Sequence, residues 1–106
     1  MLKQISGNEF EENVINNKNV VLVEFFGTWC MPCKMLSGIL DEIDKKLGDK
    51  LDIIKLDVDE NLELAKKYGV LTVPTLLVMI NGEEVEKSVG FRQEKQVLDM
   101  ISKYLK

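Results

Sequence analysis

The chain has 106 residues, of which 45% are hydrophobic and 30% charged, with a net charge of −4. That is enough for one core and one domain over residues 1–106, and an acidic balance with both signs interspersed argues against nucleic acid and against an anionic membrane surface as partners. No stretch approaches the roughly 18–20 apolar residues of a membrane span, and Met1 to Ser6 carries no signal-like apolar run, so a cytoplasmic protein is expected. Histidine is absent, which excludes Ser-His and Cys-His nucleophilic schemes within the chain. Two cysteines also fall short of the four Cys or His ligands of a structural zinc site.

Lys3-Gln4-Ile5 reads as a short first strand. Ser6-Gly7-Asn8-Glu9 matches a capping box and predicts a helix start. Phe10 and Val14 then stack at i, i+4 spacing, with Glu9, Glu11 and Glu12 in the first turn and Asn16 to Asn19 at the end. Val20 to Phe26 is a run of β-branched and aromatic residues interrupted only by Glu24. Without alternation it predicts a central strand covered on both faces. From Cys33, the residues Leu36, Ile39, Leu40, Ile43 and Leu47 recur with helical spacing, opposite Asp41, Glu42, Asp44, Lys45 and Lys46. This predicts an amphipathic helix of three to four turns, with Pro32 in its first turn and Gly48-Asp49 at its end. Gly38, mid-helix, costs about 1 kcal/mol against Ala.

Leu51 to Leu56 predicts a further strand, and Leu62, Ala65 and Tyr68 mark one face of a short helix stopped by Gly69. A loop with Pro74 leads into the apolar strand Leu76 to Ile80. Asn81-Gly82 is a hairpin signal. Val85, Lys87 and Val89 alternate with Glu84, Glu86 and Ser88, as in a half-exposed strand ended by Gly90. A last helix carries Val97, Leu98, Ile101, Tyr104 and Leu105. The order is β-α-β-α-β-α-β-β-α. Strands separated by helices imply parallel crossovers, and the hairpin adds an antiparallel strand, giving an α/β mixed sheet with helices on both faces.

Trp29-Cys30-Met31-Pro32-Cys33 lies where the buried strand hands over to the long helix. Cysteines separated by two residues can close a small disulfide ring or reopen to a dithiol. A thiol at a helix N-terminus meets unpaired N–H groups and the positive end of the helix dipole, and both favour the reactive thiolate. The pair therefore reads as redox-active. Structural disulfides are rare in the cytoplasm. The acidic runs Asp41-Glu42 and Asp57-Val58-Asp59-Glu60 read as solvated surface.

These residues resemble the thioredoxin family over essentially the whole length. The matches are the strand before the cysteines, Trp29-Cys30-x-Pro32-Cys33 with Lys34, Lys55 in the next strand, Val73-Pro74-Thr75, the Asn81-Gly82 hairpin and Gly90. The family usually has Gly where this chain has Met31, Asp where it has Glu24, Trp for Phe26, Ala for Gly27 and Pro for Gly38. The resemblance implies a thioredoxin-like five-stranded sheet, parallel at its centre with a C-terminal antiparallel hairpin, flanked by four helices. It implies a protein-disulfide reductase with Cys30 as nucleophile and Cys33 as resolving thiol.

Pro74, after a cis Val73-Pro74 bond, would then face the pair and expose the Val73 backbone for β-type pairing with a substrate. Trp29, Met31, Pro32, Val73, Thr75 and Gly90 would form the substrate-binding surface, Lys34 and Lys55 would tune the local charge, and Glu24 would accept the proton of Cys33. No cofactor is expected on the chain. The implied partners are disulfide-containing target proteins and a thioredoxin reductase that uses flavin and NADPH, with this chain a monomer. Two other classes remain open: a binding subunit of a larger assembly, and a dimer bridged through Cys30 by a metal or cluster.

Overall fold

A computed structural model describes residues 1–105. Five strands form one sheet: β1 (Leu2–Gln4), β2 (Val20–Phe26), β3 (Leu51–Asp57), β4 (Thr75–Ile80) and β5 (Glu83–Val89), in the spatial order β1-β3-β2-β4-β5. The helices are α1 (Met31–Leu47), α2 (Leu62–Lys67) and α3 (Glu94–Ser102), preceded by a first helical segment over residues 7–15. That segment begins as expected, with the Ser6 N–H donating to Glu9 Oε1 at 3.0 Å and both Phe10 and Val14 buried. It is not an α-helix, however. A 3-10 turn, Gly7–Glu9, runs into a wider π-type turn, Glu11–Ile15.

The parity of the strands decides which residues meet which helices, because alternate side chains leave opposite faces of a sheet. Val21, Val23 and Phe25 of β2 join Ile54 and Leu56 of β3 and Leu77 and Met79 of β4 under the first helical segment and Ala65 of α2. Leu22, Leu51, Ile53, Leu76 and Val78 point the other way, into Leu36, Leu40 and Ile43 of α1 and Val97 and Ile101 of α3. Glu24 and Lys55 share the parity of this second set. They are also register partners across the parallel β2–β3 ladder. Period-two geometry therefore puts a carboxylate and an ammonium side by side under α1.

One expectation needs correction. The connection through α2 is not a parallel crossover, since β4 runs antiparallel to β2 while β3 runs parallel to it. A six-residue helix rises about 9 Å, too little to carry the chain back along a seven-residue strand of roughly 23 Å. The chain therefore re-enters the sheet from the end it left. In β5 the inward set is the polar one: Val85 and Val89 are 42% and 50% exposed, and Ser88 is buried. Val85 shares the outward parity of Lys87 and Val89, and a register irregularity opposite Val78 and Met79 falls beside it. Glu86, facing in, accepts from Tyr104 Oη at 2.7 Å and Lys103 Nζ at 2.9 Å.

Smaller shifts follow the same logic. The α1 helix starts at Met31 and spans 17 residues, longer than the apolar pattern alone gave, because the cysteine pair itself forms its first turn. Gly48 ends it with φ 54°. On α2 it is Leu64 that packs against the core, while Leu62 is 66% exposed. No helix among the described residues is long and apolar enough to cross a membrane.

Candidate active site

Cys30 is the N-cap of α1, extended at φ −97° and ψ 110°. This leaves the first amides of the helix open toward its side chain, and the Cys33 N–H donates to Cys30 Sγ at 3.2 Å. Pro32 occupies the first turn, where an N–H would have no partner, and that turn carries no acidic residue. Cys30 and Cys33 are joined by a disulfide, with their Cα atoms 5.3 Å apart. Cys30 is 5% exposed and Cys33 2%. Both are largely covered, Cys30 slightly less so.

Beside Cys30 the chain presents apolar groups to solvent. Trp29 is 68% exposed and Met31 63%, and Pro32 is also exposed. The Trp29 Nε1–H donates to Asp59 Oδ2 at 2.8 Å, and Asp59 is steadied by its own N–H bonding to Asp57 Oδ1 at 2.9 Å. The expectation that the run from Asp57 to Glu60 is plain solvated surface is thus corrected: Asp57 is buried, and Asp59 holds the indole. Gly27 lies beneath that ring, where a Cβ would meet Trp29 Cε2 at 2.7 Å.

The Val73-Pro74 peptide bond is cis, and the Val73 carbonyl oxygen lies 3.9 Å from Cys30 Sγ. Pro74 is buried behind it, and its carbonyl accepts from the Gly90 N–H at 2.8 Å. Gly90 has φ 92°, a conformation open to glycine and strained for other residues. Thr75 follows with its side chain buried and its hydroxyl donating to the Thr72 carbonyl at 2.7 Å, so its visible part is to brace the loop. Between this loop and Trp29 runs a groove of about 420 Å³ whose apolar lining includes Val58, Leu62, Val70 and Leu71. Leu71, which the sequence gave no reason to single out, is 93% exposed.

The inner side of the pair is different. Cys33 opens onto a cavity of about 260 Å³, lined also by Phe26, Gly27, Thr28, Lys34, Ser37 and Lys55. Lys34 itself is exposed on α1. Lys55 Nζ donates to Ser37 Oγ and lies 5.2 Å from the centre of the Phe26 ring. Glu24 is 0% exposed, and its Oε1 is 3.9 Å from Lys55 Nζ. Neither carboxylate oxygen has a hydrogen-bond partner among the described residues. Burial pushes the Glu24 carboxyl up to about 7, against the pull of the Lys55 charge and with a small push from Asp41. Ser37 was also missed in the sequence, although its place four residues after Cys33 put it on the same helix face.

A disulfide closed across a helix N-terminus, with a cis-proline loop against its outer sulfur, defines a protein that exchanges a dithiol for a disulfide. The model of the thioredoxin family matches residues 1–103. The chain is 51% identical over 89 residues to a thioredoxin of Bacillus subtilis strain 168, covering 84% of this chain and 86% of that one. It is 40% identical over 105 residues to a thioredoxin of Listeria monocytogenes serovar 1/2a, covering 99% and 100%. With a thioredoxin of Staphylococcus haemolyticus it shares 41% over 102 residues, 96% of each chain. The chain belongs to the thioredoxin family, and its chemistry is that of a thioredoxin-type disulfide oxidoreductase. The alternatives of a binding subunit and of a metal-bridged dimer gain no support. Among the described residues no three His, Cys, Asp or Glu side chains group so as to hold a metal ion.

Proposed function

We propose that the reduced chain attacks target disulfides through Cys30 and is released by Cys33. The observation that carries this assignment is the Cys33 N–H aimed at Cys30 Sγ across the first turn of a 17-residue helix. That amide and the helix dipole favour a thiolate at Cys30. The Cys30 thiolate forms a bond to one target sulfur and the other leaves as a thiolate, giving an intermolecular mixed disulfide. Cys33, deprotonated, then forms a bond to Cys30 Sγ and expels the first target sulfur. Two electrons have passed to the target, and this chain carries the Cys30–Cys33 disulfide.

Glu24 accepts the proton of Cys33, directly or through water. Its support is a buried carboxyl lifted to about 7 on the Cys33 side of the sheet. The target lies along the Val73 backbone, with Trp29, Met31, Pro32 and Gly90 around it and its apolar groups toward Leu71. Pro74 and Thr75 shape that loop from behind, and Lys34 and Lys55 set the charge around Cys33. No cofactor takes part on this chain. The oxidised form is reduced by a thioredoxin reductase that supplies electrons from NADPH through flavin. The chain works as one domain and as a monomer in the cytoplasm, without nucleic acid or membrane.

The test is trapping. Cys33→Ser leaves the mixed disulfide without a resolving thiol, so covalent adducts with target proteins should accumulate and be released by added dithiol. Cys30→Ser should trap far fewer, and equal trapping by the two variants would sink the assignment.

A further inference from the structure

Lys55 has two neighbours to choose between. Its ammonium lies beyond hydrogen-bond range of Glu24, at 3.9 Å, yet donates to Ser37 Oγ. The cation–π contact with Phe26 holds it on the same side. We propose that Ser37 is a positioning residue for the thiol exchange: by binding Lys55, its hydroxyl keeps the ammonium from closing on Glu24. The carboxyl is thereby left unpaired and able to take a proton on the Cys33 side of the sheet. This rests on the reading of Glu24 given above and deepens it.

The placement follows from the fold. Ser37 stands one helical turn after Cys33, so both face the sheet and line the same cavity. Glu24 and Lys55 are cross-strand partners of equal parity; Lys55 lines that cavity, and the buried Glu24 carboxylate lies 3.9 Å from its ammonium. A carboxylate directly bonded to an ammonium is held in its charged form, typically one to three pH units lower than without it, and becomes a weaker proton acceptor. A buried carboxylate with no hydrogen bond stays protonated toward neutral pH. The charged groups that bear on Glu24 are Lys55 from β3 and, more distantly, Asp41 from α1. Its β4 register partner is the apolar Leu76. Of these, Lys55 is the group that moving one hydroxyl can redirect.

The experiment is a titration of the Glu24 carboxyl by carbon-13 NMR in the reduced protein, with the pH profile of mixed-disulfide resolution measured alongside. Ser37→Ala removes the competing acceptor at a half-buried helix position where Ala is well tolerated. The Glu24 midpoint should fall by about one pH unit, and the acid limb of the resolution profile should move down with it. Ser37→Thr keeps a hydroxyl and should return both to within about 0.3 unit of the parent. A midpoint that is unchanged or raised in Ser37→Ala, or a Ser37→Thr variant that behaves like Ala, overturns the proposal. If the midpoint falls while the resolution profile stays fixed, Ser37 controls Glu24 as inferred, and it is the role of Glu24 in resolution that fails.

Discussion

The two sulfurs of one disulfide face different worlds. Cys30 is flanked along the chain by Trp29, Met31 and Pro32, all left in solvent, and lies 3.9 Å from the Val73 carbonyl oxygen of the loop that also exposes Leu71. Cys33 looks inward onto a small cavity that Ser37 and Lys55 also line, and the fully buried Glu24 carboxylate lies 3.9 Å from the Lys55 ammonium. Exposed apolar surface is suited to gripping a partner, and a buried, unpartnered carboxyl is suited to taking a proton. The sequence motif is nearly symmetrical, but the fold makes its halves unequal by setting the first cysteine as the N-cap of α1, against the Val73 carbonyl, and the second over the cavity that Ser37 and Lys55 line.

The largest effect should come from the inner side. Glu24→Leu removes the proposed proton acceptor, so resolution of the mixed disulfide should slow about ten- to a hundredfold, within the lower range of general-base effects. Initial attack by Cys30 should change little. Stopped-flow measurement of the two steps separates them, and unchanged resolution removes Glu24 from the mechanism. Stability gives an independent reading. A carboxyl raised from 4.5 to about 7 binds more protons folded than unfolded. Its relative stabilisation is therefore fully present below about pH 4.5 and is lost as the pH rises through 7. The whole change is about 3 kcal/mol. Glu24→Leu should flatten that dependence and be at least as stable as the parent at neutral pH. A marked loss of stability instead would mean that the carboxylate is well paired, with Lys55 the first partner to test.

The outer side is probed by Leu71→Asp. Losing part of a leucine contact is worth about 1 kcal/mol, so reduction of a protein disulfide should slow about fivefold. Exchange with a small disulfide should be unaffected, and equal slowing of both would show that the groove does not grip the target. A smaller effect is expected for Gly27→Ala. Its Cβ would lie 2.7 Å from Trp29 Cε2, so the indole must shift and loosen its bond to Asp59. The emission of the single tryptophan should change, with protein-target reduction falling about twofold and the Glu24 midpoint unmoved. Unaltered emission would contradict the close seat of the ring.

How much of this was legible follows from which interactions are local. Val20 to Phe26 announced a buried strand, and the lone charge in it marked Glu24. The Ser6 capping box and the Asn81-Gly82 turn, with φ 50° and 81°, were readable because their chemistry is complete within four residues. The direction of β4 was not, because it depends on whether α2 is long enough to bring the chain back. Which face of β5 turns inward was not legible from its alternation, because it is Tyr104 and Lys103, far along the chain, that satisfy an inward Glu86. Asp59 and Ser37 stayed hidden for a related reason. Each acts on a side chain at least 18 residues away, and nothing beside them in the sequence points to Trp29 or Lys55.

The inequality of the two thiols is the centre of the account, and it can be measured on the reduced protein itself. Alkylation with iodoacetamide across pH, resolved by mass mapping of each cysteine, reads both reactivities at once. Cys30 should be modified first, with a midpoint below the free-thiol value of about 8.5, and Cys33 should react only later and at higher pH. Modification of Cys33 first, or of both together with one midpoint, would contradict the division of labour between the outer and inner faces of the pair.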